Sequence, residues 1–366
     1  MVLSLGKKRI YKARFTFLFY EVAIVFVFLF LILIIPTSLV PLITQIGSIP
    51  YGVSFYVIRA ILVFLGIPLI LYLTNLIFES QKKKVIIAED ISPTKGHLRL
   101  FKVSKRNYKY QILYGLLIFF LVFLPLDFFT YLFIPDMIEY QAWSLGLKNT
   151  NAYLLSSNYF IFLISVVIIQ ISVAITEENI SRGFLAKRGS EFFPSMSAVI
   201  ISSLYFGLGH FAYFLDLRAV ETVSGKSFPF WFPIIWFIQA FVIGIILALF
   251  VLRKKWLVPV IIAHALNNIV AAHSIWSFIQ GVNFQTIALL VYIPLFIIGV
   301  LFVTVCILLV WPYSSVKEGL SNGLNMLKTY FKQDSKESSR GDMVFRILID
   351  ILIGVIIFFF GFLVAV

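Results

Sequence analysis

Long apolar stretches alternate with short polar segments along the whole chain. A bilayer core about 30 Å thick is crossed by a helix of about 20 apolar residues. No run shows the two-residue alternation that a transmembrane β-barrel needs. The pattern therefore predicts an all-α fold, a polytopic membrane helical bundle with about nine transmembrane helices. These lie at about residues 15–35, 55–78, 111–134, 159–186, 194–215, 230–252, 256–272, 285–311 and 346–366.

The composition of this 366-residue chain excludes a water-soluble or disordered protein. Hydrophobic residues make up 61% of it and charged residues 13%, whereas a soluble domain has about a quarter charged residues and a disordered chain is poor in hydrophobic ones. A single cysteine, Cys306, excludes a disulfide framework. The net charge of +13 is spread between the apolar stretches and forms no basic patch, so we predict no binding to nucleic acid.

The lysines and arginines predict an orientation, because cytoplasmic loops carry an excess of these residues. They concentrate before the first span and after the second, fourth, sixth and eighth, whereas the other loops hold only Lys148, Arg218 and Lys226. We therefore expect a cytoplasmic N-terminus, an external C-terminus, and a first span that is retained rather than cleaved as a signal peptide. The long loops 79–110 and 317–345 then face the cytoplasm, and 317–332 has the pattern of a short interfacial helix.

Charged residues inside apolar helices are costly, so each is a candidate for function. Glu21, Arg59, Asp127 and Asp350 are isolated in the sequence, which is typical of contacts between helices. Three other places are polar clusters with internal spacing. They read ITEENISRGF from residue 175, SSLYFGLGHF from residue 202 and IIAHALNNIV from residue 261.

In the first cluster, Glu178 and Arg182 are four residues apart and face each other on a helix. Glu177 lies about 100° around that helix, without a local cation. Two interpretations remain open at this point. Either the span continues to Lys187 and buries these charges, or it ends at Thr176 and leaves them in solvent.

The second and third clusters place Phe206 and His210 on one helix face, and His264 and Asn268 on another, since each pair is four residues apart. Asn267 is adjacent and points elsewhere. Each cluster is a weak signal by itself, because a single polar group in an apolar helix often makes only an interhelical contact.

Depth connects the three clusters. At 1.5 Å per residue, Glu177 lies about 16 Å from the cytoplasmic marker Arg188, and His264 about 14 Å from Lys255. These similar depths permit one buried site that is reached from the cytoplasmic side. His210 lies deeper, about 24 Å from Pro194, so its helix must tilt or enter the membrane later to bring it level.

Together the clusters resemble the CAAX protease and bacteriocin-processing family, which includes the type II CAAX prenyl endopeptidases. The family pattern is Glu-Glu-x-x-x-Arg, then Phe-x-x-x-His, then His-x-x-x-Asn, each on its own membrane helix. The resemblance covers about residues 159–272, which we take as a catalytic core. Residues 1–158, with the first three spans, and residues 273–366, with the last two, flank it. The matching positions are Glu177, Glu178 and Arg182, then Phe206 and His210, then His264 and Asn268.

The resemblance implies a glutamate intramembrane protease. In such an enzyme Glu177 and His210 hold and deprotonate a water, and His264 and Asn268 donate hydrogen bonds to the oxyanion. Peptide hydrolysis needs both an activated water and an oxyanion stabiliser. The remaining three residues are structural by the same resemblance: Glu178 and Arg182 form an ion pair that orients Glu177, and Phe206 packs beside the site.

Other mechanisms fit the sequence less well. Two histidines and a glutamate can bind catalytic zinc, but no His-Glu-x-x-His segment is present and Asn268 is a poor ligand. We therefore expect no cofactor, with zinc as the alternative. Cys306 has no histidine near it in sequence, and no Gly-x-Ser-x-Gly segment is present.

Two functions that differ in kind are compatible with the sequence. The first is an endopeptidase of a bacterial cell membrane whose substrate is a hydrophobic, leader or lipid-attached peptide or a membrane protein, as in bacteriocin processing, self-immunity or CAAX-type cleavage. The alternative is a pseudoenzyme, a membrane scaffold that binds an envelope protein partner. The filled catalytic positions favour the enzyme. A transporter would need inverted repeats and paired broken helices, which the sequence lacks.

Overall fold

The computed structural model describes residues 5–80, 92–310, 313–332 and 339–365, and this part of the chain is helical with no β-strand. The predicted all-α class is confirmed. The α-helices are Leu5–Phe17, Ala23–Ile43, Ile49–Ser80, Pro93–Arg99, Tyr108–Ile118, Leu124–Phe133, Asp136–Gly146, Tyr159–Glu178, Lys187–Phe192, Ser195–Phe211, Leu217–Ser224, Phe232–Lys254, Val258–Ile279, Phe284–Ile287, Ile293–Leu309, Tyr313–Tyr330 and Arg340–Ala365. Two 3₁₀-helices cover Asn149–Leu155 and Ala212–Phe214.

Nine helical stretches within the described residues are long and apolar enough to cross a bilayer. With 22 to 38 residues, each is long enough to cross a hydrocarbon core of about 30 Å. The chain is a multi-pass integral membrane protein. They are numbered in chain order: span 1 (Gly6–Ile43), span 2 (Ile49–Ile77), span 3 (Tyr108–Phe133), span 4 (Tyr159–Phe192), span 5 (Ser195–Ser224), span 6 (Phe232–Lys254), span 7 (Val258–Ile279), span 8 (Phe284–Leu309) and span 9 (Arg340–Phe362).

Four spans contain a π-helical segment, in which hydrogen bonds run from residue i to i+5 and one extra residue fits into the turn. The segments are Leu18–Val22, Phe119–Phe123, Asn179–Ala186 and Ala288–Tyr292. The longest, Asn179–Ala186, begins directly after Glu178 in span 4. Such segments often occur at functional sites.

The polar clusters lie in the middle of the bundle. Span 4 packs between spans 2 and 7, span 7 also packs against span 3, and span 5 packs between spans 6 and 9. Span 1 packs against spans 2 and 9. The spans outside 159–272 therefore surround the helices that carry the clusters.

The structure decides between the two interpretations of the first cluster. Span 4 does not end at Thr176 but continues to Phe192, and Glu178 and Arg182 are fully buried. The predicted end at about residue 186 is therefore too early. Lys187 and Arg188, expected in a loop, are also buried.

The physical reason is that both cations have carboxylate partners. Arg188 binds Glu191 and, across the bundle, Glu21 of span 1, where the ion pair is 2.6 Å long. Lys187 binds Glu191 at 3.1 Å. Paired charges of this kind are tolerated inside a bundle.

Parts of both long loops are helical. In the first, Pro93–Arg99 forms a short helix that is capped by Ser92, and residues 81–91 lie outside the described part. In the second, the expected interfacial helix is present as Tyr313–Tyr330. Tyr330 is buried and donates a hydrogen bond to Asp350 of span 9, while residues 333–338 are not described.

Candidate active site

A buried hydrogen-bonded network joins spans 4 and 7. The predicted pair forms: Arg182 donates from Nη1 to Glu178 Oε1 at 2.9 Å, and both side chains are fully buried. His264 donates from Nδ1 to the same oxygen at 2.7 Å. A carboxylate that accepts from both groups fixes the orientation and tautomer of the histidine. Glu178 therefore orients His264, a contact that the sequence did not indicate.

Phe206 lies over this network. The Arg182 guanidinium carbon is 4.0 Å from the centre of the Phe206 ring. Glu178 Oε2 and Arg182 Nε and Nη2 have no hydrogen-bond partner among the described residues. The ring face offers the guanidinium a cation–π contact in place of water. This accounts for an aromatic residue at position 206 that itself carries no reactive group.

Glu177 is more exposed than the buried residues around it. Its side chain is 38% exposed, whereas the side chain of His264 is 4% exposed. Glu177 Oε2 lies 3.6 Å from His264 Nε2, which is longer than a direct hydrogen bond but places the carboxylate beside the imidazole. Glu177 is thus a partly exposed carboxylate beside a buried imidazole of fixed orientation.

His210 reaches the same region from the end of a different helix. Its Nδ1 contacts the Phe206 carbonyl oxygen at 3.1 Å, and since a carbonyl only accepts, Nδ1 carries the proton and Nε2 can accept. The Phe206 ring contacts both imidazoles, with centroid distances of 5.0 Å to His210 and 5.8 Å to His264. Glu177 is the charged group with the strongest electrostatic interaction with His210.

The asparagines of the third cluster have different surroundings. Asn268 is partly buried on span 7, and its side chain makes no hydrogen bond with the described residues. Asn267 lies beside Asp127 of span 3, whose charge also acts on His264. Asp127, treated in the sequence as an isolated helix contact, therefore lies behind the site. Its position inside a span was the signal for it.

Comparison with known proteins identifies one segment of the chain. Residues 157–270 match the family model described as type II CAAX prenyl endopeptidase Rce1-like. Residues 157–270 are a CAAX-protease domain. The match includes all seven residues of the sequence pattern and covers about a third of the chain. No curated protein and no solved structure matches the chain.

The CAAX-protease domain implies a peptide-bond hydrolase that works inside a membrane, an endopeptidase of the CAAX type in general. The match does not favour the alternative of a non-proteolytic scaffold. Spans 1 to 3, 8 and 9 lie outside the matched segment.

The residues of the CAAX-protease domain do not make a good zinc site. A catalytic zinc needs three protein ligands that converge on one point, and no three His, Cys, Asp or Glu side chains do so in the described part of the chain. The Nδ1 atom of His264 is occupied by Glu178, whose carboxylate also binds Arg182. The donor set therefore fits a hydrogen-bonded site better than a metal site.

His97, in the short helix Pro93–Arg99, holds the π-helical segment of span 4. Its Nδ1 lies 3.2 Å from the Gly183 carbonyl oxygen and its Nε2 lies 2.8 Å from the Asn179 side chain. A Cβ atom at Gly183 would be 3.0 Å from His97 Cε1, so the glycine makes room for the ring. No sequence motif marks His97, since its partners are more than 80 residues away.

We predict that His97 makes stability fall in acid. Burial lowers the pKa of His97 to about 4, whereas an unfolded histidine titrates near about 6.5. The unfolded state therefore binds the extra proton between these values, and the free energy of unfolding drops as pH falls, by about 2 kcal/mol at pH 5. Above pH 7 this contribution is constant, since both states are neutral.

Thermal unfolding in lipid nanodiscs at pH 7.5 and pH 5 measures this effect. His97→Gln, which cannot titrate, is expected to be less stable at pH 7.5 but to lose less on acidification than the wild-type protein. An equal loss in both proteins would contradict the assignment.

Proposed function

We propose that the protein is an intramembrane endopeptidase in which Glu177 activates a water without a metal ion. The main support for this proposal is a difference in exposure between the side chains of the site. Glu177 is accessible, while Glu178, Arg182 and His264 are buried and hydrogen-bonded to one another. A general base must reach solvent or substrate, whereas the groups that position it gain from being fixed.

In the proposed reaction, Glu177 accepts a proton from the water and His210 holds that water through the acceptor Nε2. The water oxygen attacks the peptide carbonyl, and the proton taken by Glu177 passes to the leaving amine. Two carboxyl oxygens and a neutral imidazole are suitable acceptors for these steps.

His264 and Asn268 are the proposed donors to the oxyanion. The Asn268 amide can donate directly. His264 can donate from Nε2 only when its ring carries both protons, because Nδ1–H is already given to Glu178. In its neutral form the ring would accept at Nε2 instead. The assignment therefore includes a doubly protonated His264 during turnover.

The proposed substrate is a hydrophobic, leader or lipid-attached peptide within the bilayer, which includes bacteriocin precursors and CAAX-type tails. This class fits a site whose residues lie on spans 4, 5 and 7 and whose Glu177 side chain is partly exposed. The proposed location is a bacterial cell membrane. The distribution of lysine and arginine supports an orientation with the N-terminus in the cytoplasm and the C-terminus outside.

The chemistry can be tested with purified protein in nanodiscs and hydrophobic peptides, in water enriched with oxygen-18. Direct attack by water predicts one heavy oxygen in each new carboxylate, no hydroxamate when hydroxylamine is added, and unchanged rates with phenanthroline. Hydroxamate formation would indicate an acyl-enzyme. Loss of activity with phenanthroline that zinc restores would indicate a metalloprotease. Either result contradicts the mechanism.

A further inference from the structure

Arg59 lies inside span 2 without a counter-charge. A guanidinium within a membrane span is normally paired, as Arg14 is with Asp350 at 2.9 Å. Arg59, however, makes no hydrogen bond or ion pair with any described residue, and its buried Nε atom has no partner there. This residue lies outside the matched CAAX-protease domain.

The contacts of span 2 place Arg59 beside the catalytic helix. Asn179 of span 4 donates to the Val63 carbonyl oxygen at 3.4 Å. Arg59 precedes Val63 by four residues, so the two lie on the same helix face. Arg59 therefore lies on the face of span 2 that is packed against span 4.

Arg59 is also at nearly the same depth as Glu177. Spans 2 and 4 run in the same direction, since His97, which follows span 2, contacts Gly183 late in span 4. From the contact between Val63 and Asn179, Arg59 is about 6 Å back along span 2, and Glu177 is about 3 Å back along span 4. The axial offset between them is therefore about 3 Å.

Two tyrosines connect the positions of Arg59 and Glu177. Tyr56 of span 2 and Tyr205 of span 5 each interact electrostatically with both the Arg59 guanidinium and the Glu177 carboxylate. The two charges nevertheless form no ion pair with each other in the described structure. The guanidinium and the carboxylate therefore act on the same two tyrosines without pairing with each other.

We infer that Arg59 binds the free C-terminal carboxylate of the substrate peptide. The planar guanidinium matches a carboxylate with two parallel hydrogen bonds. On a hydrophobic peptide the terminal carboxylate is the anion that would otherwise enter the membrane unpaired. Bound there, it directs Glu177 to a peptide bond near the C-terminal end. This inference rests on the proposed function and specifies its substrate class.

The test uses two synthetic hydrophobic peptides that differ only at the C-terminus, a free acid and an amide, in phosphatidylcholine nanodiscs. Wild-type protein is expected to cleave the acid with a kcat/KM at least about tenfold higher than that for the amide, because the amide cannot form the charged hydrogen bond with Arg59. The difference should come mainly from a lower KM for the acid. In Arg59→Gln the acid-to-amide ratio is expected to fall to about one. Arg59→Lys, which keeps the charge, should give an intermediate ratio. The exposed Arg218 supplies the control, Arg218→Gln, with a wild-type ratio.

A wild-type ratio near one overturns the inference, even if the variants fail to fold. So does a high ratio that persists in Arg59→Gln. If Arg59 instead binds a lipid phosphate, added phosphatidylglycerol would change cleavage of the amide peptide by the wild-type protein. It would not change cleavage by Arg59→Gln. That result would overturn the inference too. The proposed function fails separately, if wild-type protein cleaves neither peptide or Glu177→Gln cleaves both as well as wild type.

Discussion

Glu177→Gln is expected to lower the rate of peptide hydrolysis by about 10²–10⁴-fold, the usual contribution of a general base. Glutamine has the same shape but cannot take the proton of the attacking water. The protein should fold normally, because the Glu177 carboxylate makes no hydrogen bond with the described residues and its contact with His264 is 3.6 Å long.

Product formation is measured by mass spectrometry on protein in nanodiscs, with thermal unfolding of each variant as the check on folding. Glu139→Gln is the matched control. Glu139 pairs with the exposed Lys226, outside the spans, and its loss should leave hydrolysis unchanged. Activity of Glu177→Gln within tenfold of wild type would remove Glu177 as the base.

Removing one partner of the Glu178–Arg182 pair is expected to be the most destabilising change at the site. Arg182→Met leaves a fully buried carboxylate without its cation, and Glu178→Gln leaves a buried guanidinium without its anion. Each should cost about 3–5 kcal/mol of unfolding free energy. The double variant should lose much less than the sum, because no unpaired charge remains. It should still hydrolyse poorly, since His264 loses the carboxylate that orients it.

Chemical unfolding in mixed micelles gives the four free energies of this cycle. The exposed ion pair between Lys226 and Glu139 is the reference, because Lys226→Met should cost at most about 1 kcal/mol. The two buried residues would not be coupled if each single variant lost no more unfolding free energy than Lys226→Met. The same would follow if the losses of the two single variants simply added in the double variant.

Much of the fold could be predicted from the sequence because the bilayer requires long apolar helices. The nine stretches correspond to the nine spans of the described residues. The residues at which the spans end were less predictable. Lys187 and Arg188 suggested a loop, but their partners Glu191 and Glu21 allow span 4 to continue. A charge marks a membrane boundary only when it stays unpaired, and pairing between distant residues does not appear in a sequence pattern.

The candidate site could likewise be predicted only in part. The four-residue spacing predicted the contact between Glu178 and Arg182, which depends on one helix only. The contact of Glu178 with His264 depends on how spans 4 and 7 pack. His97 and Arg59 belong to segments outside the family pattern, and only the packed structure brings them to span 4. Local geometry was therefore predictable, and tertiary geometry was not.

The π-helical segment Asn179–Ala186 constrains how span 4 can change. A regular α-helix with the same number of residues has no wide turn, so it would turn everything beyond the segment by about 100° relative to Glu177 and Glu178. Arg188 would then point away from Glu21, and Gly183 away from the ring of His97. The wide turn thus sets the rotational phase between the half of the helix that carries Glu177 and the half that is anchored by span 1 and His97.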